Sequence, residues 1–280
     1  MIIEKIVSQD TLNKVYKDKT CDLDLEQYSP NDYFILKSET GSSSALLRFQ
    51  KQDFNIALKL LSDSDGSVDK VRGKDVKQRC LIDSLMDPSI RIVSVQGPAG
   101  CGKTFLSCHC AYWQMKNKRY EQIILTKPTV AVGGDRYFGA APGTVEEKFN
   151  IFLDSFRIAF EDVLGSTVQF EMEVDKGRIQ FKPIQFVRGN SWKKTLLIID
   201  EAQNLNWHEL KTILSRLGEG SKAILLGDRS QKDKKEFGYE NLYKNHLYTQ
   251  SELTSHVELT EDYRGPISKL ISQIDEDMNK

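Results

Sequence analysis

Apolar positions along the chain follow two different periods, and the change between them divides it. Early on the period is two: Phe54, Ile56, Leu58 and Leu60 alternate with polar or small neighbours, the mark of a strand with one buried face. Segments 32–38, 44–49 and 54–60 read as short strands, with turns at Gly41-Ser42-Ser43 and at 50–53. So few strands bury too little to stand alone, so they are expected to pack on a larger body. The polar run Ser62-Asp63-Ser64-Asp65-Gly66-Ser67 is the natural boundary. This gives an N-terminal β-rich appendage over 1–70 and a main domain over 71–280.

In the main domain, apolar runs alternate with helical stretches, which implies a parallel sheet covered on both faces. Buried strands are predicted at 92–96, 123–126, 195–200, 223–227 and 256–259, and a helix over 105–115. A helix over 207–217 carries Leu210, Ile213, Leu214 and Leu217 at helical spacing ahead of Gly218. Segments 168–174 and 178–184 flank Asp175-Lys176-Gly177 and read as an inserted β-hairpin. Ile267, Leu270, Ile271 and Ile274 line one face of a helix over 266–278, a stripe read as ordinary packing.

Composition narrows the classes. The 280 residues are 39% hydrophobic and 28% charged with net charge −1, so a nucleic-acid site would be a local patch rather than a global basic field. No apolar run reaches membrane-spanning length, and the polar, early-acidic start does not read as a signal peptide. Cys21, Cys80, Cys101, Cys108 and Cys110 form no disulfide framework spacing and suit a reducing cytoplasm. Cys108-His109-Cys110 falls mid-helix, where sequence neighbours do not face each other, and reads as packing rather than a metal site.

The chemistry starts at Gly97-Pro98-Ala99-Gly100-Cys101-Gly102-Lys103-Thr104, a complete G-x-x-x-x-G-K-[ST] phosphate loop. Its glycines let backbone N–H groups surround phosphates, Lys103 reaches the β and γ oxygens, and the Thr104 hydroxyl is a Mg²⁺ ligand. An apolar strand before it and a helix after it are the context the motif requires. Thr195 to Ile199 then runs into Asp200-Glu201, carboxylates at the C-terminal edge of a buried strand, where open α/β sheets bind ligands. Asp200 is placed to hold Mg²⁺, and Glu201 to orient and deprotonate water. Leu225-Leu226-Gly227-Asp228 ends a further strand, and Gln231 beyond it is placed to sense the γ-phosphate or water.

Asp200-Glu201-Ala202-Gln203 and Gly227-Asp228-Arg229-Ser230-Gln231 resemble motifs II and III of superfamily 1 helicases. More closely, residues 72–280 resemble the PhoH-like ATPases, in the branch where the ATPase follows a PIN nuclease. The resemblance rests on Asp87-Pro88, Thr126-Lys127-Pro128, Gly143 to Lys148, Arg188-Gly189-Asn190-Ser191, Ile199 to Leu205, His208 to Thr212 and Leu217 to Lys222. Ser29 to Asp32 and Ser43 to Phe49 resemble the segment joining nuclease to ATPase. About thirty residues precede that segment and lack an acidic metal cluster, so nuclease activity is not implied. Cys101 stands where the family commonly has Thr, which suggests sensitivity of nucleotide binding to oxidation.

The resemblance implies a single RecA-like P-loop core with ATP and Mg²⁺ as ligands. It adds Phe105 to the nucleotide contacts and gives Gln78 the role of reading adenine. It also implies contacts to single-stranded nucleic acid, RNA by resemblance, from Thr126, Lys127, Pro128, Thr129, Arg136 and Arg188. Asp262-Tyr263-Arg264-Gly265 resembles the helicase motif with a phosphate-contacting arginine. With room for one such domain, the expectation is a homo-oligomer, a hexameric ring for instance, in which Arg264 completes a neighbour's site; Arg229 and Arg216 are its rivals. The leading reading is thus a cytoplasmic Mg²⁺-dependent ATPase coupled to single-stranded nucleic acid, as translocase or helicase. A small-molecule kinase fits less well, since Glu201 and Gln231 serve water. A nucleotide-dependent switch or scaffold acting on a protein partner stays open.

Overall fold

The computed structural model describes residues 1–18, 27–52, 55–128, 154–184, 191–229, 238–267, 270, 271 and 274. Its first elements are β1 (Ile2–Val7), α1 (Gln9–Asp18), β2 (Tyr33–Ser38), β3 (Ser44–Gln52) and β4 (Asn55–Leu60). Then come β5 (Ser67–Val68), β6 (Val71–Arg72), α2 (Val76–Met86), β7 (Ile92–Gln96), α3 (Lys103–Lys116) and β8 (Gln122–Thr126). α4 (Asp154–Leu164), α5 (Thr167–Asp175), β9 (Ile179–Phe181) and β10 (Thr195–Ile199) follow. The last described elements are α6 (Trp207–Leu214), β11 (Lys222–Gly227), α7 (Gly238–Lys244), α8 (His246–Thr249) and β12 (Thr254–Glu258). By compactness the chain divides into Met1–Ser94 with Leu242–Glu258, and Val95–Asn241 with Leu259–Lys280.

In the first unit, β1-β2-β3-β4 form a sheet, parallel between β1 and β2 and antiparallel thereafter. Leu12 and Val15 of α1 join Phe34, Leu36, Leu47 and Phe49 in its core. The expected strands are β2, β3 and β4. β1 and α1 are additions, because a short strand whose partner is reached only through a crossover leaves little local signal. A buried ionic cluster ties this sheet to α2. Arg48, fully buried, donates to Asp87 and pairs with Asp83 at 3.1 Å. Lys59 reaches Asp83 at 2.6 Å, and the Tyr33 hydroxyl lies 2.9 Å from the same carboxylate.

Six strands share a second sheet in the order β12-β7-β11-β10-β8-β9. Within the second unit β11, β10, β8 and β9 pair in parallel, and α3 and α4 pack together. β10 and β11 are buried along their whole length, as strands of a sheet covered on both faces must be. The arrangement is an α/β fold of the RecA-like P-loop type. Cys108, His109 and Cys110 are buried in α3 as packing residues.

The segment expected as a hairpin is a helix followed by a strand. Residues 168–174 lie in α5, opened by Ser166, whose hydroxyl accepts the Gln169 N–H. β9 then pairs in parallel with β8. Val168, Phe170, Met172 and Val174 mimic period two, yet Val168 and Met172 are exposed. Phe170 and Glu173, one helical step apart, are the buried pair, and Phe170 stacks on Phe160 of α4 at 6.2 Å between centroids. Ser166-Thr167-Val168-Gln169 is a capping-box signature that outranks the alternation. The stripe of Ile267, Leu270, Ile271 and Ile274 also departs from expectation, being exposed rather than packed. Helical spacing shows which face is apolar, not what covers it.

Candidate nucleotide site

β7 ends at Gln96, and the loop from Gly97 to Gly102 turns into α3. Gly102 is the N-cap of α3 in left-handed backbone, φ +88°, so the amides of the first helical turn open toward an anion. Gly100 is left-handed as well, and a β-carbon there would collide with Asp262 Oδ1 and lie 2.8 Å from Arg264 Cγ. The loop therefore lies directly against the 262–264 segment. Tyr263 N–H donates to Gly100 O at 3.1 Å, and Arg264 N–H to Asp262 Oδ1 at 2.8 Å. The loop is tied to the sheet by Gly97 N–H on Gly227 O at 3.1 Å. The Lys103 ammonium bonds Gly97 O and, at 2.8 Å, Pro98 O.

A cavity of about 520 Å³ opens above these strand ends. Its walls include Lys103, Thr104 and Phe105 of the loop and helix, Lys127 after β8, Asp200, Glu201 and Gln203 after β10, and Asp228 after β11. Ile158, Ala159 and Asp162 of α4, and Arg264, complete them.

Asp200 is 8% exposed. Burial, and next the Glu201 charge, push its carboxyl up to about 6, against the pull of the Glu201 N–H, Lys127 and Lys103. Glu201 is held in left-handed backbone, φ +52°, a conformation a residue with a β-carbon adopts only under constraint. Its Oε2 accepts the Gln203 amide at 2.6 Å, and Gln203 Oε1 accepts the Asp228 N–H at 3.0 Å. Gln203 thus links the ends of β10 and β11. Below it, α6 starts on a full capping box between Asn206 and Glu209, which fixes the turn from 202 to 204.

The donor set suits magnesium. The Thr104 hydroxyl and the Asp200 carboxylate line the cavity together, and a hard cation that enters with phosphates needs only one or two protein oxygens. Among the described residues no group of three or more His, Cys, Asp and Glu could hold a metal by itself.

Ala99, Gly100, Gly102, Lys103, Thr104, Phe105, Asp200 and Glu201 meet at this cavity as their motifs suggest. Arg264 lines the same cavity in its own chain. Neither Arg216 nor Arg229 lines the cavity. Lys127, expected at a nucleic-acid strand, lines the cavity. Its neighbours Thr126 and Pro128 are buried, so the Thr126 hydroxyl is inside the sheet, not at a surface. Gln78 is buried in α2 of the first unit, its amide oxygen accepting the Lys74 N–H at 2.8 Å. Cys101 is 1% exposed, and burial raises its thiol pKa against the opposing charge of Lys103. That combination argues against a redox-sensitive loop. Gln231, Thr129, Arg136 and Arg188 lie outside the described residues. The residue missed from sequence is Gln203, visible only as the last letter of Asp-Glu-Ala-Gln.

A sequence model of the family described as "PhoH-like protein" matches residues 70–274. Protein PhoH2 of Bacillus subtilis (strain 168) is 32% identical over 234 residues, covering 81% of this chain and 52% of that protein. Protein PhoH2 of Mycolicibacterium smegmatis is 32% identical over 250 residues, covering 85% and 54%. A PhoH-like protein of Bacillus subtilis is 40% identical over 137 residues, covering 49% and 42%. The chain spans about half the length of these curated relatives. Among solved structures, Pif1 helicase from Candida albicans aligns with 72% of this chain and 43% of its own, at TM-score 0.38 and 16% identity. Among the described residues no helix is long and apolar enough to cross a membrane.

Proposed function

Because the chain belongs to the PhoH-like protein family, we propose that it is a Mg²⁺-dependent ATPase coupled to single-stranded nucleic acid. The observation that carries the hydrolytic half is the convergence of Lys103, Thr104, Asp200 and Glu201 on one cavity, with Gln203 orienting Glu201. In this reading the loop amides and Lys103 hold the β- and γ-phosphates, while Thr104 and Asp200 hold the cation. Magnesium held by these two residues would supply positive charge that offsets the negative charge of the phosphates. Glu201, kept in place by the Gln203 amide, orients a water on the γ-phosphorus. The water oxygen forms its bond to phosphorus as the bond to the β,γ-bridging oxygen breaks. ADP leaves with that electron pair, and Glu201 takes the water proton.

Coupling to a nucleic-acid strand, RNA first, is proposed from the motif likeness alone. Thr129, Arg136 and Arg188 are the positions through which it would act. Arg264 serves the γ-phosphate of its own chain, which leaves a ring compatible with activity but not required for it. The deciding experiment is ATP turnover with and without single-stranded RNA, alongside Glu201→Gln. A magnesium-dependent rate that falls in the variant and rises with RNA supports the proposal. A wild-type chain with no turnover under any of these conditions overturns it.

A further inference from the structure

Lys127 sits in the nucleotide cavity for reasons that can be traced residue by residue. β8 and β10 run in parallel with Thr126 opposite Ile199, and Asp200 N–H donates to Thr126 O at 3.0 Å. The residue after Thr126 is thereby placed level with the residues after Ile199, which are the carboxylates. Pro128 is buried and follows at once. A residue before proline is confined to extended backbone, so Lys127 leaves the strand end with little freedom. Its side chain is half-buried and lines the same wall set as Lys103, Thr104, Asp200 and Arg264.

We propose that Lys127 is a ligand of the γ-phosphate, holding the terminal phosphoryl from the end of β8. The proposal rests on the ATPase reading and deepens it. Phosphoryl transfer spreads negative charge over the γ oxygens and places little covalent demand on the protein. Cations fixed before the reaction are therefore what the site can contribute. Lys103 enters from the phosphate loop, Arg264 from the segment packed on Gly100, and Lys127 from the strand next to the one bearing Asp200. An ammonium in this position engages a triphosphate but has no terminal phosphoryl to engage in a diphosphate. No proton moves through it; its part is electrostatic.

The test uses the whole chain with fluorescent ADP, a non-hydrolysable ATP analogue, and ATP turnover. Lys127→Met keeps most of the apolar stem, and Lys127→Arg keeps the charge. For Lys127→Met the expected result is roughly tenfold or greater loss of affinity for the ATP analogue. ADP affinity stays within about twofold, and kcat falls by about a hundredfold; Lys127→Arg recovers part of both. Thermal melting close to wild type shows that the variants fold, and a misfolded Lys127→Met leaves the decision to the Arg variant's ratio of analogue to ADP affinity. Equal losses for both nucleotides, or wild-type turnover in Lys127→Met, overturn the proposal and leave Lys127 as a counter-charge to Asp200. Lost RNA binding with unchanged nucleotide affinities overturns it in favour of a strand contact. A wild-type chain that binds neither nucleotide removes the ATPase reading, and this proposal with it.

Discussion

Gln203 donates its amide to Glu201 at 2.6 Å while its carbonyl oxygen accepts the Asp228 N–H at 3.0 Å. One buried side chain thus fixes the orientation of the Glu201 carboxylate, proposed to activate water, against the end of the neighbouring strand. A free glutamate has many rotamers; this one has a partner that is itself held at both ends.

Glu201→Gln should leave ATP binding near wild type and lower turnover by about a hundredfold or more, since the general base is lost while Asp200 and Thr104 stay. Gln203→Ala should lower kcat by up to about a hundredfold through misplacement of an intact base. Single-turnover hydrolysis with parallel nucleotide-binding titrations separates the two. A Gln203→Ala enzyme with unchanged kcat would show that Glu201 needs no such support.

Single-stranded RNA should raise turnover at low salt, with the stimulation fading as salt rises, because phosphate contacts release counterions. Neutralising Arg136 or Arg188 should weaken RNA binding without altering sequence preference. Filter binding and coupled ATPase assays across a salt series provide the readout. Indifference to both RNA and DNA at low salt would favour a protein partner instead.

The Arg48–Asp87 pair should make stability depend on acid pH. Burial alone would raise the Asp87 carboxyl, but the Arg48 charge and the bonds from Ser89 and Arg48 outweigh it and bring it to about 2. Its unfolded value lies near ~3.9. A lowered folded pKa contributes stability above the unfolded value, and this is lost as pH falls from about 4 toward 2. Asp87→Asn should flatten that limb in urea unfolding measured against pH. Arg48→Met leaves Asp87 without its buried cation, while Asp83 keeps Lys59, and should cost about 3–5 kcal/mol. An unchanged acid limb in Asp87→Asn would assign it to another group.

Cys101 should react slowly with thiol reagents in the native protein and rapidly after denaturation, because its thiol is buried and kept protonated. Cys101→Ser should keep nucleotide affinity, since the position contributes its backbone to the loop. Mass-spectrometric labelling with and without urea measures the contrast. Fast native labelling that abolishes ATP binding would restore a redox role.

The nucleotide loop and the strands flanking it were legible because buried parallel strands are short, nearly continuous apolar runs, and the loop's chemistry admits few substitutes. The hairpin misreading over 168–184 arose where Val168, Phe170, Met172 and Val174 alternate by chance; only the Ser166 cap marked the helix locally. That Lys127 and Arg264 line this cavity was not legible from their charge alone. Which wall a residue faces depends on the pairing of Thr126 with Ile199, and on how closely Gly100 packs on Asp262. Gln203 was hidden for a similar reason, as its partner Asp228 is remote in sequence. β1 required a parallel partner reached through α1.

If Glu201 acts as proposed, its left-handed backbone sets stability and turnover against each other at a single position. A side-chain-bearing residue there costs about 1–2 kcal/mol relative to ordinary backbone, and Gly, or to a lesser degree Asn, escapes that cost at the same φ. Variants chosen for heat resistance alone should therefore drift toward glycine at 201 and become better-folded nucleotide binders that do not hydrolyse. Variants chosen for turnover should keep glutamate and the deficit that comes with it. Thermostabilising this fold without losing catalysis means working elsewhere, and leaving its least comfortable residue where it is.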